Sequence, residues 1–279
     1  MSENTKSIVV GYDGSDDADA ALHWAAATAI LENRAVHVVI VDDVDALTAA
    51  SLSWRSELGA ELAARAEHVM KEAGVVDGST ERRSGHVVAS LLERAQAAFM
   101  LVVGSRGHGW TAETTAGSVS QHLARHATCP VVVVRTPAHS ASRIVVGVDG
   151  SGGSTAALEF ACCRAELTGE PVVAVRGWKA SGALVDRSGN IPASVMEPAE
   201  GEELLLAEST AGVRATHPDV VFDQEVIAVA PGQALVDASL TASLVVVGSR
   251  GRGAFAGMLL GSVSHDVLHR AHCSVAVVR

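Results

Sequence analysis

The feature that most restricts this chain is that it is written twice. Ile8–Ala25 reads IVVGYDGSDDADAALHWA and Ile144–Ala161 reads IVVGVDGSGGSTAALEFA, identical at 11 of 18 positions. Leu101–Arg135 and Val245–Arg279 match at 18 of 35 positions without a gap. The first pair is offset by 136 residues and the second by 144, so the second copy carries eight extra residues between its matching ends. A repeat this long is a folding domain, not one turn of a solenoid. At 279 residues in all, each copy is long enough to bury its own core. The chain therefore divides into a first domain at 1–136, a polar, proline-containing linker at 137–142 and a second domain at 143–279.

Within each copy, apolar runs of strand length alternate with helical stretches. Ser7–Tyr12, Ala35–Val41, Phe99–Val103 and Val131–Arg135 are continuous and rich in β-branched residues, as suits strands buried on both faces. Ser79–Ser84 is polar and predicts a poor or edge strand; its counterpart, Val220–Val229, is the stronger candidate. Helices are expected at about Ala18–Glu32, capped by Asp16 or Asp17, and at Trp54–Ala73, His86–Gln96 and Ser118–His126. In Trp54–Ala73 the apolar stripe is Leu58, Leu62, Ala66 and Val69. The order β-α-β-α-β-α-β-α-β requires right-handed crossovers. The fold class is α/β, with two tandem doubly wound domains. Ligands of such sheets lie beyond the carboxyl ends of the strands, at the switch in strand order.

Two motifs fall at those ends. Gly104-Ser105-Arg106-Gly107 is followed after nine residues by Gly117-Ser118-Val119-Ser120; Gly248, Gly251, Gly261, Ser262 and Val263 repeat the arrangement with the same spacing. No Walker sequence is present, and the glycines do not follow the first strand as a Rossmann fingerprint does. Glycines admit positive φ and close approach of backbone N–H groups to an anion. A Gly-Ser at a helix start adds free donors and the positive end of the helix dipole. The competing reading is a structural strand-to-helix turn with Ser118 and Ser262 as N-caps. The same spacing in two copies whose intervening residues differ favours phosphate binding. Asp13 and Asp149 stand directly after the first strand of each copy, where a carboxylate can accept from a ribose hydroxyl or hold a local Asp-Gly-Ser turn. Arg106 and Arg250 can reach a phosphate or point to solvent.

With 32 acidic against 21 basic residues and a net charge of -11, the chain lacks the basic surface of a nucleic-acid binder. Its apolar runs are too short for a membrane span. The first residues, Met1–Lys6, lack a secretory pattern, so the cytoplasm is the expected compartment. Four cysteines do not make a disulfide framework, and Cys129 and Cys273 occupy equivalent small apolar positions. His122 with His126, and His265 with His269, are spaced i, i+4, but no acidic or cysteine ligand accompanies them, so no metal ligands are assigned.

IVVGxDGS at the start of each copy, with G-x-x-G, nine residues and G-S near its end, resembles the universal stress protein family across essentially the whole chain. The resemblance implies a five-stranded parallel sheet flanked by helices in each copy, of the adenine-nucleotide alpha-hydrolase-like kind. It also implies ATP in each copy. By position, Asp13 and Asp149 resemble the aspartate on the nucleoside, and Val41 the apolar residue beside adenine. Gly104, Gly107, Gly117 and Ser118, with Gly248, Gly251, Gly261 and Ser262, resemble the phosphate-binding set; Val119 and Val263 follow the serines. Val41 is replaced by Gly177 in the second copy, and Glu113 brings a negative charge near the first phosphate loop. The resemblance further implies a homodimer or higher oligomer through Val131–Arg135 and Val275–Arg279. No catalytic residues are assigned. The expected function is an ATP-binding regulatory stress module that a protein partner senses, with Mg²⁺ held by Asp13 and Asp149 and at most slow hydrolysis. The alternatives are an ATP-using enzyme and a structural dimer with vestigial sites.

Overall fold

A computed structural model describes residues 6–43, 52–107, 117–136, 142–179, 200–253 and 259–279. The chain separates into two units, Met1–Thr136 and Pro137–Arg279. In the first, β1 (Ile8–Gly11), α1 (Asp16–Glu32), β2 (Val36–Asp43), α2 (Leu52–Ala73) and β3 (Gly78–Gly85) are followed by α3 (Val87–Ala95), β4 (Met100–Gly104), α4 (Ser118–His126) and β5 (Val131–Val134). In the second, the order is β6 (Ile144–Gly147), α5 (Gly152–Thr168), β7 (Val172–Gly177), α6 (Glu200–Thr216), β8 (Phe222–Ile227), α7 (Pro231–Ala238), β9 (Leu244–Gly248), α8 (Ser262–Arg270) and β10 (Ser274–Val278).

Each unit is a five-stranded, wholly parallel sheet. The first has the order β3-β2-β1-β4-β5; the second has β8-β7-β6-β9-β10. The strand order reverses between β1 and β4, and between β6 and β9. Right-handed crossovers put α1 and α2 on one face and α3 and α4 on the other, and each pair is in contact. The central strands are apolar on both sides because helices cover both: Ile8, Val10, Leu101 and Val102 are fully buried, as are Ile144, Val146, Val245 and Val246. Each such side chain is worth roughly 1.5–3 kcal/mol of transfer free energy.

The local expectations hold in part. Ser15, not Asp16 or Asp17, caps α1: its side chain accepts from Ala18 N–H at 3.2 Å while the three aspartates fill the first turn. The polar Ser79–Ser84 segment is the edge strand expected: it lies within the eight-residue β3, which pairs with β2 alone. Edge position removes the need for apolar residues on both faces; Glu81 meets Arg94 at 2.5 Å and His37 at 2.9 Å. Leu58 is 41% exposed; of the expected α2 stripe Ala66 is buried and Leu62 and Val69 are half-buried, and Met70 joins them.

Candidate functional site

At the carboxyl ends of β1, β2 and β4, a cavity of about 400 Å³ opens in the first unit. Its counterpart beyond β6, β7 and β9 measures about 440 Å³. Both lie where the strand order reverses. Asp13, Val41, Gly104, Gly107, Gly117, Ser118 and Val119 all line the first cavity. Asp149, Gly248, Gly251, Gly261, Ser262 and Val263 all line the second.

One wall is a helix start. Gly117 and Gly261 occupy the N-cap positions of α4 and α8, and neither helix has a side-chain cap. Ser118 and Ser262 are therefore first helical residues rather than caps, as the sequence left open. By contrast, α1 and α5 are capped by the hydroxyls of Ser15 and Ser151. The cap residues' own N–H groups are used, since Gly117 and Gly261 donate to Ser105 and Ser249 carbonyls at 2.8 Å. The donors left for a ligand are thus the following N–H groups of the first turn, at the positive end of the dipole.

The glycines serve close approach, not positive φ. Gly117 has φ −67° and Gly261 φ −72°. Among the described site residues, positive φ belongs to Gly14 and Gly150 of the Asp-Gly-Ser turns, at 79° and 77°. A Cβ on Gly107 would lie 2.5 Å from Asp13 Oδ2, and one on Gly251 closer still to Asp149 Oδ2. Gly104 and Gly248 do something different. Their Cβ atoms would strike the backbone of Asp17 and Gly153 at 2.7 and 2.6 Å, so these glycines let α1 and α5 pack onto the strand ends.

Each aspartate holds the turn after the first strand, and Asp149 also ties that turn to the glycine loop. Asp13 Oδ1 accepts from Ser15 N–H at 3.0 Å and Ser15 Oγ at 2.6 Å. Asp149 Oδ1 accepts from Ser151 N–H at 3.0 Å, and its Oδ2 from Arg252 N–H at 2.9 Å. Burial pushes the Asp149 carboxyl up, but hydrogen bonds from the Ser151 hydroxyl and the Arg252 and Ser151 N–H groups outweigh it and hold the group below the usual carboxylate range. In the first unit the turn is braced from below. Buried Tyr12 donates to Asp19 at 2.6 Å, and Asp19 is paired with Arg65. Burial, then the Asp19 carboxylate, push the phenol well above its ordinary range.

The second wall is apolar and was only partly legible. Val39, Val87, Leu91 and Val103 join Val41 in the first cavity; Val175, Pro231, Leu235 and Val247 form the equivalent wall in the second. Gly177 does not leave a gap where Val41 stands. A Cβ there would come 2.6 Å from Pro231 Cα, because the start of α7 fills the space. Among the described residues neither lining contains a lysine, a histidine or a second carboxylate. A Mg²⁺ ion would find one protein carboxylate per cavity, so most of its octahedron would come from phosphates and water. Glu113 lies outside the described residues.

The arrangement fits a ligand with a flat apolar end and an anionic end. The model of the universal stress protein family matches twice, at residues 4–135 and 141–279. The chain belongs to the universal stress protein family. A universal stress protein of Mycobacterium tuberculosis is 37% identical over 288 residues, covering 98% of this chain and 96% of the relative. A second from that organism is 34% identical over 303 residues, covering 98% and 94%. The crystal structure of a universal stress protein from Archaeoglobus fulgidus superimposes with a TM-score of 0.73 at 19% identity, over 98% of this chain and 96% of that one, and so shares the fold.

In this universal stress protein the first histidine pair turns back onto its own helix. His122 and His126 use Nδ1 on the carbonyls of Ser118 and His122, both at 2.9 Å. Cys129 and Cys273 are buried. No helix among the described residues is long and apolar enough to cross a membrane.

Proposed function

We propose that each unit binds an adenine nucleotide, with ATP as the principal ligand, and that the protein is a nucleotide-dependent regulatory module of the cytoplasm. The observation that carries this reading is the pairing, in one cavity, of an uncapped helix start with an apolar wall of Val41, Val87 and Leu91, repeated as Val175, Pro231 and Leu235. The first-turn N–H groups of α4 and α8 take the phosphates, as helix N-termini do. The apolar wall takes the base, and Asp13 and Asp149 accept from the ribose. Asp13 and Asp149 are the carboxylates that would hold a Mg²⁺ ion, which would neutralise phosphate charge there.

One carboxylate and no lysine in the described lining suit binding better than turnover, since phosphoryl transfer wants a clamped, metal-bridged phosphate and a positioned water. Hydrolysis is accordingly slow at most. The nucleotide sets a conformation or an oligomer, assembled through the final strands of the units, that a protein partner reads. The test is calorimetric titration with ATP, beside analysis of nucleotide released from natively purified protein. Gly107→Val with Gly251→Val drives a side chain into Asp13 and Asp149, and should abolish binding while circular dichroism stays unchanged. Wild-type affinity in that double variant would overturn the assignment.

A further inference from the structure

A second constellation lies at the opposite end of the second unit. Helix α5 carries Glu159, Cys163 and Glu166 at i, i+4 and i+7, which places all three on one stripe. That stripe meets His217, the residue directly after α6. The imidazole is held between two carboxylates: Nε2 is 2.8 Å from Glu159 Oε2 and Nδ1 is 2.7 Å from Glu166 Oε1. Cys163 is exposed and not disulfide-bonded. Among the described residues this is the one place where three donor atoms of histidine, cysteine and carboxylate, those of Glu159, Cys163 and His217, lie within 4.8 Å of one another.

Both helices run back from the carboxyl ends of the strands, so the cluster is remote from the nucleotide cavity. Among its described residues the first unit has nothing comparable. By the repeat, its α1 carries His23, Ala27 and Ile30 at these positions.

We propose that Glu159, Cys163 and His217 form a divalent metal site of the zinc class. The mixed O, S and N donor set is the one zinc prefers over magnesium or calcium, which take oxygen alone. Tetrahedral zinc ligands at about 2.0–2.3 Å from the ion stand roughly 3.3–3.8 Å from one another, wider than the 2.8 Å between His217 Nε2 and Glu159 Oε2. A small outward turn of the half-exposed Glu159 carboxylate admits the ion between them. His217 ligates through Nε2 and donates its Nδ1 proton to Glu166. That carboxylate–histidine–metal relay fixes the ring and strengthens the ligand. Cys163 binds as thiolate and His217 as neutral imidazole, so the thiol proton and the Nε2 proton now donated to Glu159 both pass to solvent. Three protein ligands leave a fourth position for water. The ion clamps α5 to α6, so its effect is on the second unit.

The test is titration of Co²⁺, then Zn²⁺, into the full-length protein after chelator treatment and desalting. One equivalent of Co²⁺ should give a near-ultraviolet thiolate-to-metal band and tetrahedral visible bands, and Zn²⁺ should abolish both. Cys163→Ser should remove the thiolate band. His217→Ala should weaken Zn²⁺ binding at least tenfold, and Glu166→Gln about tenfold while keeping the band. Cys163 and Glu166 are exposed, so these two variants should fold as the wild type does, which circular dichroism checks. Absence of a thiolate band in the wild type, its survival in Cys163→Ser, or stoichiometric Zn²⁺ binding unchanged by His217→Ala would each overturn the site.

Discussion

Asp17 Oδ2 accepts from both the backbone N–H and the side-chain Nε of Arg106, at 2.9 and 3.3 Å. It also accepts from Ser105 Oγ at 2.6 Å. The second unit has Gly153 at this place, and the Arg250 guanidinium that lines its cavity meets no acceptor among the described residues. The two cavities therefore share a shape but differ in charge. One holds an arginine already neutralised beside three first-turn aspartates, the other an arginine available to a phosphate.

From this asymmetry, the second unit should bind ATP more tightly than the first. With the second site blocked by Gly251→Val, Asp17→Asn should raise the affinity of the first about fivefold. That corresponds to roughly 1 kcal/mol for removing a nearby like charge at intermediate dielectric. Two-site calorimetry reads both effects. Equal sites, or no gain from Asp17→Asn, would show that Asp17 acts only as a loop tie.

The glycines should separate by role. Gly104→Ala and Gly248→Ala put a methyl against backbone, which side-chain rotation cannot relieve, at a cost of about 1–3 kcal/mol seen in thermal unfolding. Gly107→Ala instead meets a movable carboxylate at 2.5 Å. It should lose about tenfold in ATP affinity with little change in unfolding temperature. Gly117→Ala, with the nearest atom 3.3 Å away, should cost less than about 1 kcal/mol.

Asp149 supplies a pH signature. Its carboxyl sits below the usual range because the hydrogen bonds it accepts outweigh the cost of burial. A depressed folded value means that its contribution is fully present above the unfolded value, about 3.9, and is lost as the pH falls through the lower folded one. Asp149→Asn should therefore destabilise the second unit by about 1 kcal/mol near neutrality, a gap that closes in acid. Urea unfolding of both proteins at neutral pH and near pH 3 measures it.

Thiol chemistry should single out Cys163. Its neighbour Cys162 is buried, and burial followed by the charge of Glu159 pushes that thiol up to about 12. Cys129 and Cys273 are buried as well. Iodoacetamide on the folded protein should label Cys163 alone, and one equivalent of Zn²⁺ should slow the labelling. Peptide mapping shows which cysteines react.

The duplication, the alternation of strand and helix, and the glycine spacing were legible because each is a local pattern in one dimension. The apolar wall was less so. Val39, Leu91 and Leu235 look like ordinary core residues in sequence, and only the reversal of strand order exposes them at a cavity. The polar run Ser79–Ser84 did mark the edge strand β3, because a strand at a sheet edge need not be apolar on both faces. The roles of individual glycines, by contrast, were hidden. Gly104 and Gly107 stand three residues apart, yet one faces the backbone of α1 and the other the carboxylate of Asp13.

By itself the amino-acid order determined two doubly wound α/β units, with a glycine-rich loop at the carboxyl edge of each. Hydrophobic period and backbone permissiveness are written residue by residue. What only the tertiary structure decided was which groups meet across long separations: Asp17 with Arg106, Gly177 with Pro231, His217 with Glu159 and Cys163. Those meetings depend on helices folding back over the sheet from distant parts of the chain, and distance along a sequence carries no record of distance in space.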